Sequence, residues 1–317
     1  MNNIELHVFQ YENKMRERQG GEISLKNLYR FRIFWKIFVH WKTVTVHHPK
    51  KSLGQNFLQD ANVAQKIVRS FNPQHDDCVV EIGPGKGALT SMLLERVPHI
   101  TVIELDNELA PQLQTQFGER ITVIHRDVLE IPISSLAQQG KKVRLIGNIP
   151  YNITSPLLFH VIDSRDAVLD FVVMMQTEVA QRLTARPRTK EYGILSVFLQ
   201  YYCTPKILFA VSRHSFFPIP SVSSTVVHLD FTTPFKQQAV DDRVFRKIVR
   251  ATFGMRRKTL RNGLKYLGVP TSEFERLSVN LDQRPEELSV ADFVTLADEL
   301  MPCADSIIQP TAEESHE

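Results

Sequence analysis

CVVEIGPGKGALT, residues 78 to 90, decides the fold: an apolar, β-branched run leads into Gly83, Gly85 and Gly87, spaced by two, and then into a helical pattern. A buried strand, a glycine turn and a helix open a βαβ unit, and glycine there permits a tight turn and close approach of a ligand to the backbone. Outward from it, similar runs follow at ITVIEL (100–105), ITVIHRD (121–127) and VRLIGN (143–148), and LDFVVMM (169–175) continues the alternation with helices. That alternation predicts a parallel sheet. KILFAVS (206–212) and STVVHLDF (224–231) then follow one another with no helix between. They predict a hairpin-like pair closing the sheet, where a dehydrogenase would alternate to the end. Residues 60–70 carry an amphipathic helical pattern, and beyond Pro234 only helical stretches remain, at 241–253, 257–267, 272–279 and 289–300.

The fold class read from this pattern is α/β, a Rossmann-like sheet with a small all-helical C-terminal domain. The divisions fall at 47–235 for the sheet domain and 236–302 for the helices, with 303–317 as a disordered tail. Residues 1–46 fit neither unit. Their stretch YRFRIFWKIFVHWKTV mixes aromatic and basic residues, which suits a membrane-surface or RNA-binding arm, but it reads better as an added or mis-started leader with no fold of its own.

Composition narrows the function. A chain of 317 residues, 43% hydrophobic, can bury a large α/β core and a smaller unit. Cys78, Cys203 and Cys303 lie a hundred residues or more apart with no CxxC, so neither a disulfide framework nor a zinc site is predicted. No run of eighteen apolar residues and no signal-peptide order occurs, which predicts a cytoplasmic protein that does not enter membranes. The net charge is +3, and residues 1–46 hold eight Lys/Arg against four Asp/Glu, so the remainder is close to neutral. Such a body binds nucleic acid through local patches. Arg256, Arg257, Lys258 and Arg261, with Arg243, Arg246, Lys247 and Arg250 upstream, form one such run, which a solvated helix face would also resemble.

The glycine turn points to a cofactor. A dinucleotide fingerprint has its third glycine one residue later and seats a pyrophosphate, whereas GxGxG leaves no clear phosphate seat. That suits the uncharged sugar and amino-acid tail of S-adenosylmethionine. Glu104 ends the second strand 21 residues after Gly83, where a carboxylate can accept both ribose hydroxyls. Asp127 ends the third strand and, with the Val128 backbone, can meet an adenine edge. Each carboxylate singly also reads as a helix cap. Suitable groups at successive strand ends point to one ligand-binding edge.

NIPY, Asn148 to Tyr151, closes the fourth strand. The N6 amine of adenine is a poor nucleophile because its lone pair is delocalised into the ring. Accepting hydrogen bonds from both of its hydrogens, through the Asn148 side-chain carbonyl and the Ile149 backbone carbonyl, would direct that lone pair at a methyl donor. Pro150 fixes the turn and Tyr151 offers a face for an extruded base. No metal is required.

With these motifs, residues 48–300 resemble the KsgA/RsmA type of 16S ribosomal RNA adenine-N6,N6-dimethyltransferase. KKSLGQNFL (50–58) resembles the family's cofactor lid, which implies contacts from Gln55, Asn56 and Leu58. EIGPGKGALT implies that Gly83 and Gly85 line the methionine end, and Glu104, Asp127 and Asn148 match the remaining cofactor positions. QTEVAQRL (176–183), YGILSVFLQYY (192–202) and FGMRRKTLRNGL (253–264) are also family-like. FFPIPSVSSTVV (216–227) resembles a motif whose leading Phe, here Phe216, packs on the target base. The chain departs from the family at Ser221 and Ser223, where Lys and Asp are common. The resemblance implies dimethylation of two adjacent adenosines in the 3′-terminal hairpin loop (helix 45) of 16S rRNA, within a late precursor of the 30S subunit. It implies S-adenosylmethionine as methyl donor, a monomer, and no obligate protein partner. Glutamine and DNA-adenine methyltransferases share a related NPPY, but GQNFL and the RRK-bearing helices argue against them. An Erm-type dimethylase of large-subunit rRNA shares NIPYNI, and QTEVAQRL with FFPIPSV favours the small-subunit enzyme. A non-catalytic RNA-binding assembly factor of the same fold is the other alternative, opposed by the intact Asn148 and glycine turn.

Overall fold

The computed structural model describes residues 49–308 apart from 139, so the expectations for 1–46 lie outside the described residues. Seven strands form one sheet in the order β4-β3-β2-β5-β6-β9-β7: β2 (Cys78–Ile82), β3 (Ile100–Ile103), β4 (Ile121–Ile124), β5 (Val143–Asn148), β6 (Val168–Gln176), β7 (Thr204–Val211) and β9 (Ser224–Asp230). β2 to β6 are parallel, and β9 runs antiparallel between β6 and β7. The closing pair is therefore antiparallel as the missing helix predicted, with its second strand inserted next to β6.

Period-two alternation explains why these runs are strands covered on both faces. In β6, Phe171, Val173 and Met175 join one hydrophobic cluster while Val172 and Met174 join the other. Helices α1 (Ala61–Phe71), α2 (Ala88–Leu93) and α3 (Leu109–Phe117) cover the second face, and α4 (Thr154–Asp163), α5 (Thr177–Leu183) and α6 (Ile194–Tyr202) the first. α1 shows how the sequence sets such a helix. Asp60 caps it by accepting from the Asn62 and Val63 N–H groups, a contact whose loss costs about 1 kcal/mol. Ala64, Ile67, Val68 and Phe71 then fall on one buried stripe, and Asn72 ends the helix in the left-handed region at φ 47°.

Beyond Pro234 the described residues hold helices only: α7 (Asp242–Gly254), α8 (Leu260–Tyr266), α9 (Val290–Glu299) and α10 (Ala304–Ile308), with 3-10 turns including Thr271–Arg276. Three expectations change. The helix read over 257–267 starts at Leu260, with residues 255–257 in a turn, and the stretch 272–279 is a 3-10 turn only as far as Arg276. Within the tail read as disordered from 303, Ala304–Ile308 form α10, where Ile307 supplies an apolar side chain that is fully buried, and 309–317 lie outside the described residues. No helix among the described residues is long and apolar enough to cross a membrane.

The edge of the sheet opposite the strand C-termini is braced by charge. The Arg144 guanidinium pairs with Asp77 at 2.6 Å and Asp170 at 2.7 Å, donates to the Phe71 carbonyl, and lies over the Phe71 ring. Its partners satisfy it within the fold, so this cluster is structural.

Candidate active site

Parallel register aligns the strand ends, pairing Ile82 with Ile103, Ile103 with Ile124 and Ile82 with Gly147. The residues just beyond, Gly83, Glu104 and Asp127, together with Asn148 at the end of β5, consequently share one edge. They line a cavity of about 270 Å³, joined there by Gln55, Asn56, Leu58, Gly85, Val128, Ile149, Pro150 and Tyr151. Every residue expected at the cofactor, and every expected catalytic residue except Phe216, is thus brought together.

The glycine turn must be glycine on two counts. Gly85 and Gly87 have φ of 58° and 81°, in the left-handed region, and a Cβ on Gly85 would stand 3.0 Å from the Phe57 ring. On Gly87 it would stand 2.7 Å from the Phe117 ring. The Phe57 and Phe117 rings pack into the space those two side chains would take.

Glu104 is 6% exposed and accepts from the Gly85 N–H at 3.1 Å and the Asp106 N–H at 2.9 Å. Burial pushes its pKa up, against the pull of those donors. A carboxylate has about four acceptor positions, so these donors leave capacity for a ligand hydroxyl. Asp127 does act as a cap, accepting from the Leu129 N–H at 2.9 Å, and lines the cavity as well. Asn148 donates its amide Nδ2 to the Asn56 carbonyl at 3.0 Å. With the donor end held, Oδ1 is the end offered to a ligand. Tyr151 shares a hydrogen bond with the Ser224 hydroxyl at 3.0 Å, which fixes its ring at the cavity wall.

The segment before α1 closes over this edge. It holds the 3-10 turn Lys51–Leu53 and β1 (Phe57–Leu58). The Gln55 amide accepts from the Lys50 N–H and donates to Asp106 at 2.6 Å, while the Lys50 ammonium meets Asp106 at 2.8 Å and Glu108 at 2.9 Å. Asp106 is 1% exposed and tethers the whole segment, yet sequence reasoning passed over it. Its one signal is a second carboxylate two residues after Glu104. Glu81 was also missed. It lines the cavity, is 1% exposed, and accepts from the Thr90 hydroxyl at 2.6 Å. Burial, then the nearby Glu104, pushes its pKa up to about 8.

Two expectations are corrected. Phe216, expected on the target base, is 3% exposed and belongs to the core cluster, because β8 (Phe216–Phe217) pairs with β1 and turns that ring inward. Arg257 and Lys258, read within a helix over 257–267, lie outside it. Arg256, Arg257 and Lys258 occupy the turn between α7 and α8, and Arg261 is on α8. Arg256 pairs with Glu286 and donates to the Lys190 carbonyl, and Arg261 pairs with Asp282. Arg257 and Lys258 are exposed and have no ion-pair partner among the described residues.

The ribosomal RNA adenine dimethylase family profile matches residues 46–301. A protein from Acinetobacter baylyi called ribosomal RNA small subunit methyltransferase A is 44% identical over 261 residues, covering 81% of this chain and 94% of its own. One of the same name from Xanthomonas euvesicatoria is 47% identical, covering 78% and 95%. Among solved structures, a dimethyladenosine transferase from Plasmodium falciparum superposes with a TM-score of 0.65 at 24% identity, covering 79% of this chain and 98% of that one. The 23S rRNA methyltransferase ErmE gives 0.57 at 22%, covering 77% and 99%. These two likenesses show the fold.

Proposed function

The chain belongs to the ribosomal RNA adenine dimethylase family, and from that premise we propose that it dimethylates the N6 amines of two adjacent adenosines in the 3′-terminal hairpin loop of 16S rRNA. It acts on small-subunit precursors in the cytoplasm, as a monomer, using S-adenosylmethionine. The name of its relatives, small subunit methyltransferase A, favours this substrate over large-subunit rRNA. The observation that carries the reading is the held Asn148 amide inside the glycine-turn cavity.

The cavity fits the cofactor chemically: an uncrowded glycine backbone at Gly83, a buried diol acceptor at Glu104, and Asp127 with Val128 further along the same edge. When bound, the cofactor supplies an electrophilic methyl group. The chain's own residues hold the nucleophile. Asn148 Oδ1 and the Ile149 carbonyl accept the two N6 hydrogens, withdrawing the lone pair from the ring and aiming it. Tyr151, tied to Ser224, stacks on the extruded base. Arg257 and Lys258 take rRNA phosphates, while Arg256 ties their turn to Glu286 and Arg261 ties α8 to Asp282.

The test is single-turnover methyl transfer to purified small subunits that lack the modification. Wild type should modify both adenosines. Asn148→Ala should bind subunits normally yet transfer on the order of 10²- to 10³-fold more slowly. A near-normal rate in that variant would remove Asn148 from the chemistry, and no transfer by wild type would remove the function.

A further inference from the structure

The short ribbon of β1 and β8 has two unlike faces. Leu58 is paired with Phe216, and both are buried in the core. Phe57 is paired with Phe217. Directly opposed residues of an antiparallel pair project to one side, so Phe217 shares the side of Phe57, whose ring lines the cavity against Gly85. Phe57 is 8% exposed and Phe217 50%. From Phe217 the chain passes Ile219 and Val222, 56% and 42% exposed, and reaches Ser224, the residue that holds Tyr151. This segment therefore runs along the cavity rim from the Phe57 side to the Tyr151 side.

Its character is unusual for a surface loop. Three of the seven large apolar side chains left exposed among the described residues fall between Phe217 and Val222. Single exposed apolar residues need no account, but a cluster at a binding rim does. Pro218 and Pro220 restrict the backbone, so the surface is ordered before anything binds. Residues 213–223 contain no carboxylate, the exposed Lys86 ammonium lies 5.1 Å from the Phe57 ring centroid, and the exposed Arg213 stands four residues before Phe217 in the chain. An apolar, aromatic face with neighbouring cations matches an unpaired nucleotide, whose base stacks and whose phosphate is anionic.

We propose that Phe217 is the stacking platform for the nucleotide next to the one in the cavity, with Ile219 and Val222 as its apolar wall. The proposal rests on the substrate reading above. Two adjacent adenosines cannot share one cavity, so when the first enters, its neighbour is unstacked and requires a surface. Phe217 positions the substrate and takes no part in the chemistry.

The experiment measures methyl transfer against subunit concentration for wild type, Phe217→Ala and Phe217→Trp. Each is given normal unmethylated small subunits and subunits in which the adenosine beside the target is replaced by uridine. Phe217→Ala should raise the half-saturating subunit concentration on the order of ten-fold, leave cofactor affinity and Tm unchanged, and be rescued by Phe217→Trp. The uridine substitution should weaken wild type and make little further difference to Phe217→Ala. Unchanged half-saturation in Phe217→Ala with an active wild type overturns the platform alone, and would turn the rim over to a protein partner. An equal uridine penalty in both proteins overturns it too. A wild type that transfers no methyl overturns the function, and the platform with it.

Discussion

Glu81 is a carboxyl group on a central strand, sealed beneath Thr90 and facing the same cavity as Glu104. In the unfolded chain it titrates near the ordinary 4.5, and in the fold only near 8. Between those pH values the folded protein holds a proton that the unfolded chain has lost. That contribution to stability is complete below about pH 4.5 and is lost as pH rises toward 8. Glu81→Gln keeps an acceptor for Thr90 without the ionisation. The wild type should therefore lose Tm relative to Glu81→Gln as pH rises from 5.5 to 8.5, and parallel Tm profiles would contradict the assignment. At this scale the sequence was uneven. Glu104, Asp127 and Asn148 were legible because each stands at a strand end, where the fold must bring ligand and residue together. Glu81 could have been found, since a carboxylate inside CVVEI has no solvent to face. Asp106 was harder, because its one local signal is the spacing from Glu104 and its bond to Lys50 spans 56 residues.

Among elements, the turn between α7 and α8 is where helical periodicity misleads. The sequence pattern starts a helix at Arg257, but Thr259 is extended at φ −73° and ψ 162°, and α8 begins only after it. The turn separates the cations by role. Arg256 is spent on Glu286 and the Lys190 carbonyl, which ties the turn to the loop before α6. Arg257 and Lys258 are left for a polyanion. Replacing both by Ala should lower the slope of log affinity against log salt for small subunits by about 1.4 to 1.8, since each phosphate contact contributes about 0.7 to 0.9. Cofactor affinity should not move. An unchanged slope would return both residues to a solvated surface role. The β1–β8 ribbon escaped sequence reading for a different reason. Two strands of two residues, 160 positions apart in the Phe57–Phe217 pair, carry no periodicity, so nothing in FF said which ring would turn inward.

Across the whole molecule, the change from sheet to helices near Pro234 does not divide the core. From Pro49 onward the chain clusters as one compact unit, and a single hydrophobic cluster contains both sheet residues such as Val173 and Val227 and C-terminal residues such as Phe245, Ile248 and Phe293. The join is made by α6 and α7. Phe245 is fully buried and stacks on Tyr201 with ring centroids 4.0 Å apart, and the Tyr202 hydroxyl donates to Asp242 at 2.6 Å and accepts from Arg246 at 2.7 Å. The helix within YGILSVFLQYY is buried nearly all round because it is covered by the sheet on one side and by α7 on the other. The stretch is singled out only by its family likeness, and nothing in it says that its second cover comes from beyond the boundary. Sheet and helices should consequently unfold together. Phe245→Ala should cost about 3 to 5 kcal/mol, and Phe245→Leu less, with the cofactor site and the C-terminal helices lost in one transition. Urea titration followed both by far-ultraviolet circular dichroism and by cofactor binding checks this. Should Phe245→Leu melt the helices while the cofactor site stays intact at higher urea, the shared core would not be what couples them. Coincident transitions would mean that the turn presenting Arg257 and Lys258 to rRNA is held in register with the cavity by the same packing that keeps the sheet folded.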